Sequence, residues 1–182
     1  MQRLRRVRTD YLLHQELEHV LAALMPSNRL VIRVMLRTGL RVGDVLALRP
    51  EQLALRMWVT ESKTGKRRQV GLGQDLLADL KAHAGRIWVF PGRNPAKHRT
   101  RQAVWHDIKR AARAFRLPQN VGTHSARKVY AVELMEQYGD LERVQRALRH
   151  DRLETTLAYA MADRLLKSPS RGLKWRRKAP GG

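Results

Sequence analysis

Residues 123–160 begin with Thr123-His124-Ser125-Ala126-Arg127-Lys128 and end with Thr155-Thr156-Leu157-Ala158-Tyr159-Ala160. Apolar residues recur at helical spacing through most of this run. The pattern predicts helices over 124–138, 141–148 and 153–162. Residues 123–162 are therefore expected to be mainly helical.

Four chemically active side chains interrupt the apolar pattern of this run: His124, Arg127, His150 and Tyr159. His124 and Arg127 lie three residues apart at a helix start, so we expect them to share one face. Tyr159 follows His150 by nine residues, in a short helix that Thr155 or Thr156 can cap. Singly, each residue is typical of a helix surface; together they indicate one site.

The composition points to a polyanionic partner. The chain has a formal charge of +21 at pH 7 and no cysteine. Nucleic acid is the leading candidate, because Lys and Arg displace condensed counterions from phosphates; an anionic membrane surface is the alternative. No apolar run approaches the roughly 18 residues of a spanning helix, and the basic N-terminus lacks the apolar segment of a secretory signal. We therefore expect a protein of the cell interior that does not enter membranes.

The absence of cysteine excludes disulfides, thiolate zinc sites and cysteine nucleophiles. The seven histidines show neither HxxxH nor HxH spacing. We accordingly predict no metal site and no cofactor.

The first half of the chain is predicted to hold three helices. A helix should follow Thr9 as N-cap and end at Pro26, and a second, capped by Ser27, should run to about Arg37. Thr38-Gly39 breaks that helix, and a third short one should end before Pro50.

A change of periodicity after Pro50 predicts a β-hairpin. Residues 53–60 and 68–72 read as strands around the turn Lys63-Thr64-Gly65-Lys66. Helices are predicted over 74–84 and 101–116, with a short apolar strand or turn at 87–90 between them. Three tryptophans among apolar neighbours are expected in the core: Trp58, Trp88 and Trp105.

These elements predict a mainly α fold with a small antiparallel β-hairpin, of the α+β class. Residues 1–163 should form one domain. Residues 164–182 hold seven Lys or Arg and no acid, and we expect a basic, flexible tail there.

Cutting a DNA phosphodiester without metal requires a nucleophile, a clamp for the phosphate oxygens and an acid for the leaving oxygen. A tyrosine can attack phosphorus and store the bond as a covalent phosphoester. Guanidinium groups are suitable clamps, being planar, permanently charged and able to donate two hydrogen bonds at once. Lysine or histidine can protonate the leaving group. Arg41, at a turn entering a helix, would add a second guanidinium and backbone amides facing an anion.

The chain resembles the tyrosine recombinases, or phage-integrase-type recombinases, over residues 9–163. Four segments carry the resemblance, in the family's order: Thr38-Gly39-Leu40-Arg41-Val42-Gly43-Asp44-Val45-Leu46, Glu61-Ser62-Lys63-Thr64-Gly65-Lys66, His124-Ser125-Ala126-Arg127, and Leu148-Arg149-His150 with Thr155-Thr156-Leu157-Ala158-Tyr159-Ala160. Any one segment is a weak signal, and four at family-like separations are a strong one.

The resemblance implies the fold of the recombinase catalytic domain and a role for each matched residue. Arg41 and Arg127 would clamp the scissile phosphate, Tyr159 would form a 3′-phosphotyrosyl link, and Lys63 would protonate the leaving 5′-hydroxyl. His124 and His150 would assist by hydrogen bonds to the phosphate and by proton transfer. Neither metal nor ATP is needed, because a second 5′-hydroxyl reseals the strand.

Around these residues the sequence indicates supporting groups. Asp44 stands where the family more often has glutamate, and we expect it to support an arginine. Lys66 is the alternative to Lys63, because the hairpin is crowded with cations. Arg149 replaces a frequent glycine before His150. Further DNA contacts are expected from basic residues of the hairpin, of the loop before residue 101 and of the helix after residue 123: Lys66, Arg67, Lys97, Arg99, Arg101 and Lys128.

The expected function is site-specific recombination on double-stranded DNA, in the cytoplasm of a prokaryotic cell and encoded by a phage or mobile element. The chain would be a monomer when free and a tetramer in its synaptic complex with DNA. The family usually carries an N-terminal core-binding domain, and the sequence leaves open whether one was removed or is naturally absent. The alternatives are a type IB topoisomerase, which reseals the same strand, and a DNA-binding module without catalysis.

Overall fold

The computed structural model describes residues 12, 14–118 and 120–148. In order it contains α1 (His14–Ala23), α2 (Pro26–Thr38), α3 (Val42–Leu46), a 3₁₀ turn (Pro50–Gln52), β1 (Arg56–Thr60), β2 (Arg67–Gly71), α4 (Gln74–His83), α5 (Arg101–Ala114), α6 (Thr123–Tyr138) and α7 (Leu141–Leu148). The predicted class, mainly helical with one small antiparallel sheet, is confirmed. The predictions for the Thr9 cap, for residues 149–163 and for the tail lie outside the described residues.

Helix α2 is the central element, and it packs against α1, α3, α4, α6 and β2. Val31, Val34 and Met35 on its inner face are 0%, 0% and 1% exposed. Burying side chains of this size stabilises a fold by about 1.5–3 kcal/mol each. The start of α2 differs from the prediction: Met25 is the N-cap and Pro26 takes the first turn, where its missing N–H needs no partner, so Ser27 is not the cap.

The predicted hairpin is confirmed, with shorter strands. Arg56–Thr60 pairs antiparallel with Arg67–Gly71, so that Val59 lies opposite Arg68. In both strands the second and fourth residues face the core and their neighbours face outward. Trp58 is therefore on the outer face and 52% exposed.

The core positions predicted for Trp105 and Trp88 are also wrong, because the fold buries other residues of their segments. Trp105 is 45% exposed on α5, while Val104 and Ile108 of the same helix are buried. Trp88 is only half-buried, beneath the guanidinium of Arg49, whose Cζ lies 3.5 Å from the ring centroid. Residues 87–90 form no strand, and the backbone N–H of Val89 donates to Leu48 O at 3.0 Å.

A buried carboxylate joins the start of α2 to α5. Asp107 Oδ2 accepts hydrogen bonds from Met25 N at 2.8 Å and from Asn28 Nδ2 at 2.6 Å. Burial alone would raise the pKa of Asp107, but the hydrogen bonds from Asn28, Arg110 and Met25 outweigh it and lower that pKa.

Among the helices of the described residues, none is both long and apolar enough to cross a membrane.

Candidate active site

Arg41 is placed by a sharp break between α2 and α3. Gly39 adopts a left-handed conformation (φ 65°) and its N–H donates to Met35 O at 2.8 Å, which ends α2. Thr38 Oγ1 accepts from Leu40 N at 3.2 Å and fixes the exit of the chain. Arg41 then becomes the N-cap residue of α3, with its Nη1 donating to Glu61 Oε2 at 2.8 Å.

Arg127 lies in the second turn of α6 and is 8% exposed. Its guanidinium donates to Gly39 O and, at 3.2 Å, to Leu148 O. It thus bridges the α2–α3 break to the last residue of α7. Burial, followed by the charges of Arg41 and Arg68, lowers the pKa of Arg127 to about 10. The two arginines of the matched segments, 86 positions apart in the sequence, therefore lie close enough for the charge of Arg41 to act on Arg127.

The hairpin carries Lys63 on an exposed turn, two residues after Glu61, the partner of Arg41. Asp44 Oδ1, on α3, accepts from Ser62 N at 2.9 Å and from Ser62 Oγ at 2.7 Å. Asp44 thus anchors the residue before Lys63. Its charge still acts on an arginine, because Asp44 raises the pKa of Arg127 against the lowering effect of burial.

Two buried charged residues of the hairpin were not among the sequence-predicted site residues. Glu61 is 1% and Arg68 is 9% exposed. Arg68 donates to Ala147 O and, at 2.8 Å, to Thr38 O, and its Nε lies 3.4 Å from Glu61 Oε1. The alternation of the strands could have revealed them, because Met57, Val59 and Glu61 share the inner face, as do Arg68, Val70 and Leu72.

The remaining predicted residues lie around this centre. His124 is exposed in the first turn of α6, one turn before Arg127, and Lys128 is half-buried beyond it. Lys66 and Arg67 are exposed on the hairpin. Arg101 is the exposed first residue of α5, and its Cδ would lie 3.8 Å from a Cβ placed on Gly43. Arg101 therefore lies beside α3, the helix whose N-cap residue is Arg41.

Of the two residues predicted to contact DNA from the basic loop before α5, one is exposed and the other is engaged within the fold. Lys97 is exposed. Arg99 is half-buried, with its N–H donating to Phe90 O at 2.7 Å and its Nε to Asn28 Oδ1 at 2.5 Å. These contacts give Arg99 a packing role at the loop base.

His150 and Tyr159 lie outside the described residues. The described chain nevertheless reaches the site, since Leu148 O accepts from Arg127 and Ala147 O from Arg68. The predicted histidine follows two positions after Leu148. Within the described residues, no group of three or more His, Asp or Glu side chains is placed to hold a metal ion.

Comparisons with known proteins relate the chain to integrases and tyrosine recombinases. The chain is 31% identical over 172 residues to the integrase of Escherichia phage P2, covering 90% of this chain and 48% of that protein. It is 31% identical over 145 residues to tyrosine recombinase XerD of Pseudomonas aeruginosa, covering 72% and 48%. The chain thus spans about half the length of the curated relatives it matches.

Among solved structures, the fold is similar to that of a lambda integrase dimer bound to a COC′ core site. The TM-score is 0.72 at 20% identity, over 98% of this chain and 53% of that one. A sequence profile described as the phage integrase family matches residues 10–164. With this match over most of its length, and with the two arginines and the lysine-bearing hairpin assembled at one place, the chain belongs to the phage integrase family of tyrosine recombinases.

Proposed function

We propose that the chain is the catalytic domain of a site-specific recombinase that cleaves and rejoins duplex DNA through a 3′-phosphotyrosyl intermediate. The observation that carries this proposal is the meeting of Arg41 and Arg127 beside the Lys63 turn. Two guanidiniums beside the Lys63 ammonium can bind one phosphodiester and stabilise the charge that develops on it during the reaction.

In the proposed reaction the Tyr159 hydroxyl oxygen attacks phosphorus and the bond from phosphorus to the 5′ oxygen breaks. The phenol proton passes to a base, for which His124 and His150 are the candidates, and Lys63 gives a proton to the leaving 5′ oxygen. Arg41 and Arg127 hold the non-bridging oxygens throughout. Attack by a 5′-hydroxyl from another strand reverses the steps, so no external energy source is consumed.

The proposed substrate is double-stranded DNA, and the proposed partner is a second copy of the chain. The formal charge of +21 supports a polyanionic substrate. The similar lambda integrase is a dimer bound to a core site, which supports self-association on DNA. We extend this to a synaptic tetramer on DNA, acting in the cytoplasm of a prokaryotic host, as the similarity to a phage integrase suggests.

The test is a covalent trap with nicked duplexes that tile the DNA flanking the gene. A nick just 3′ of the cleavage site releases the short 5′-hydroxyl segment, so that resealing cannot occur. The chain should form a protein–DNA adduct that survives denaturation and is absent from Tyr159→Phe. Tyr138→Phe, which alters a tyrosine 39% exposed on α6, is the matched control and should retain the adduct.

The same assay separates the alternatives. DNA binding with no adduct from the unaltered chain on any duplex would contradict the proposal and support a module without catalysis. Strand joining between two duplexes is the expected product, whereas relaxation of a supercoiled circle without such joining would support a topoisomerase.

A further inference from the structure

Glu61 is a buried carboxylate at the centre of the arginine cluster. Its Oε2 accepts from Arg41 Nη1 at 2.8 Å and from Thr64 Oγ1 at 3.3 Å. Its Oε1 lies 3.4 Å from Arg68 Nε. A carboxylate that is 1% exposed is stable only with such partners, and its removal would leave the charges of Arg41 and Arg68 without this buried counter-charge.

The backbone of Glu61 also builds the turn that carries Lys63. Glu61 N donates to Lys66 O at 3.0 Å, and Glu61 O accepts from Gly65 N at 2.8 Å and from Thr64 N at 3.3 Å. The residue that pairs with Arg41 therefore also closes the loop of residues 62–65. At the start of this loop, Ser62 donates two hydrogen bonds to the Asp44 carboxylate.

These contacts join two groups that the proposed reaction needs at the same moment. Arg41 would bind a non-bridging oxygen and Lys63 would protonate the 5′ oxygen of the same phosphate, so their separation must hold to well under 1 Å. Lys63 itself is exposed on its turn, and contact with solvent alone does not fix the position of a long, flexible side chain. The Glu61 side chain supplies a direct link between the turn and Arg41.

We propose that Glu61 is a positioning residue for strand cleavage: as internal counter-ion of Arg41 and Arg68, it couples the position of the Lys63 turn to that of the phosphate-binding arginine. This inference rests on the proposed function. It differs from a purely structural role, because loss of Glu61 would impair protonation of the leaving group specifically.

The test compares two nicked duplexes that differ in one atom. In the second, sulfur replaces the bridging 5′ oxygen of the scissile phosphate. A thiolate is a far better leaving group than an alkoxide, since thiols have a pKa of about 8.5, so cleavage of this duplex needs no general acid. Single-turnover adduct formation is measured on both duplexes at saturating DNA, with Lys63→Ala as the reference for loss of the acid.

On the ordinary duplex, Glu61→Gln should cleave about 100-fold more slowly than the unaltered chain, within the range expected for loss of general-acid function. On the sulfur-substituted duplex the deficit should shrink at least tenfold, as it should for Lys63→Ala. Asp75→Asn, which removes an exposed carboxylate from the first turn of α4, should match the unaltered chain on both duplexes.

Glu61→Asp serves as a second variant in case Glu61→Gln does not fold, because it keeps the charge and shortens the arm. It should show a smaller deficit with the same dependence on sulfur. Equal deficits on the two duplexes, for whichever variant folds, would overturn the inference and leave Glu61 a structural residue. Absence of adduct from the unaltered chain on both duplexes would instead contradict the proposed function.

Discussion

At the scale of single residues, Arg127 shows how the fold favours function over stability. Burial lowers the pKa of Arg127 in the folded chain to about 10, below the value of an arginine in the unfolded chain. Below pH 10 the buried charge therefore opposes folding, and this opposition is relieved only as the pH rises above 10. A bound phosphate would place an anion in direct contact with this guanidinium.

We therefore expect Arg127→Met to separate activity from stability. Cleavage of the nicked duplex should fall by at least about 100-fold, because a main stabiliser of the phosphate charge is lost. The free energy of unfolding should change by no more than about 1 kcal/mol, because an apolar side chain of similar length replaces a desolvated charge. Arg113→Met, at an exposed position of α5, is the control. A loss of stability above about 3 kcal/mol would show that Arg127 is chiefly structural.

The sequence indicates the proposed site residues more readily than their supporting partners. Arg41, Arg127 and Lys63 each stand in a segment of fixed order. Glu61 and Arg68 were not predicted as site residues, because charged residues beside a hairpin turn are usually exposed. Strand alternation turns Arg68 inward, and only the folded hairpin shows that its partners are Glu61 and two backbone carbonyls.

At the scale of elements, the break between α2 and α3 determines where both arginines lie. Gly39 ends α2 in a left-handed conformation, and its carbonyl accepts from Arg127. The ring of Tyr130 covers the site that a Cβ would occupy, with one ring carbon 2.5 Å away, and Leu148 Cδ2 lies 3.1 Å away. Glycine is therefore required here by both backbone and space.

A pair of glycine substitutions separates these two requirements. Gly65 has nearly the same φ, 66° against 65°, but none of the described atoms lies within 4 Å of its Cβ position. Gly65→Ala should lose about 1–2 kcal/mol of unfolding free energy from backbone strain. Gly39→Ala should lose at least about 2 kcal/mol more, because Tyr130 must move. Chemical denaturation measures both, and equal losses would contradict the packing described for α6 against the break.

Element type was predictable and orientation was not. The helices and the hairpin follow from periodicity, and the break at Thr38-Gly39 follows from glycine. The core positions of Trp58 and Trp105 were wrong because apolar neighbours in the chain point to the other face of a strand or helix. Residues 87–90 form no strand: Val89 and Phe90 are buried while Ile87 is 40% exposed, because tertiary contacts outweigh their β propensity.

At the scale of the whole molecule, charge determines how the chain meets DNA. A formal charge of +21 predicts binding dominated by release of counterions. Binding to a 30-base-pair duplex, followed by fluorescence anisotropy, should weaken by at least about 100-fold between 50 and 200 mM salt. Arg101→Ala should lower the slope of log affinity against log salt by about 1, whereas Asn94→Ala, in the neighbouring loop, should leave it unchanged. A slope near zero would exclude phosphate contacts as the source of affinity.

The proposed reaction joins Tyr159 covalently to a DNA 3′ phosphate. The most direct measurement is peptide mapping of the trapped adduct by mass spectrometry, after digestion of the protein and the DNA. The chain has four tyrosines, and the nucleotide remnant should be found on the peptide that contains Tyr159 alone. A remnant on Tyr130 or Tyr138, or an adduct that persists in Tyr159→Phe, would contradict this account.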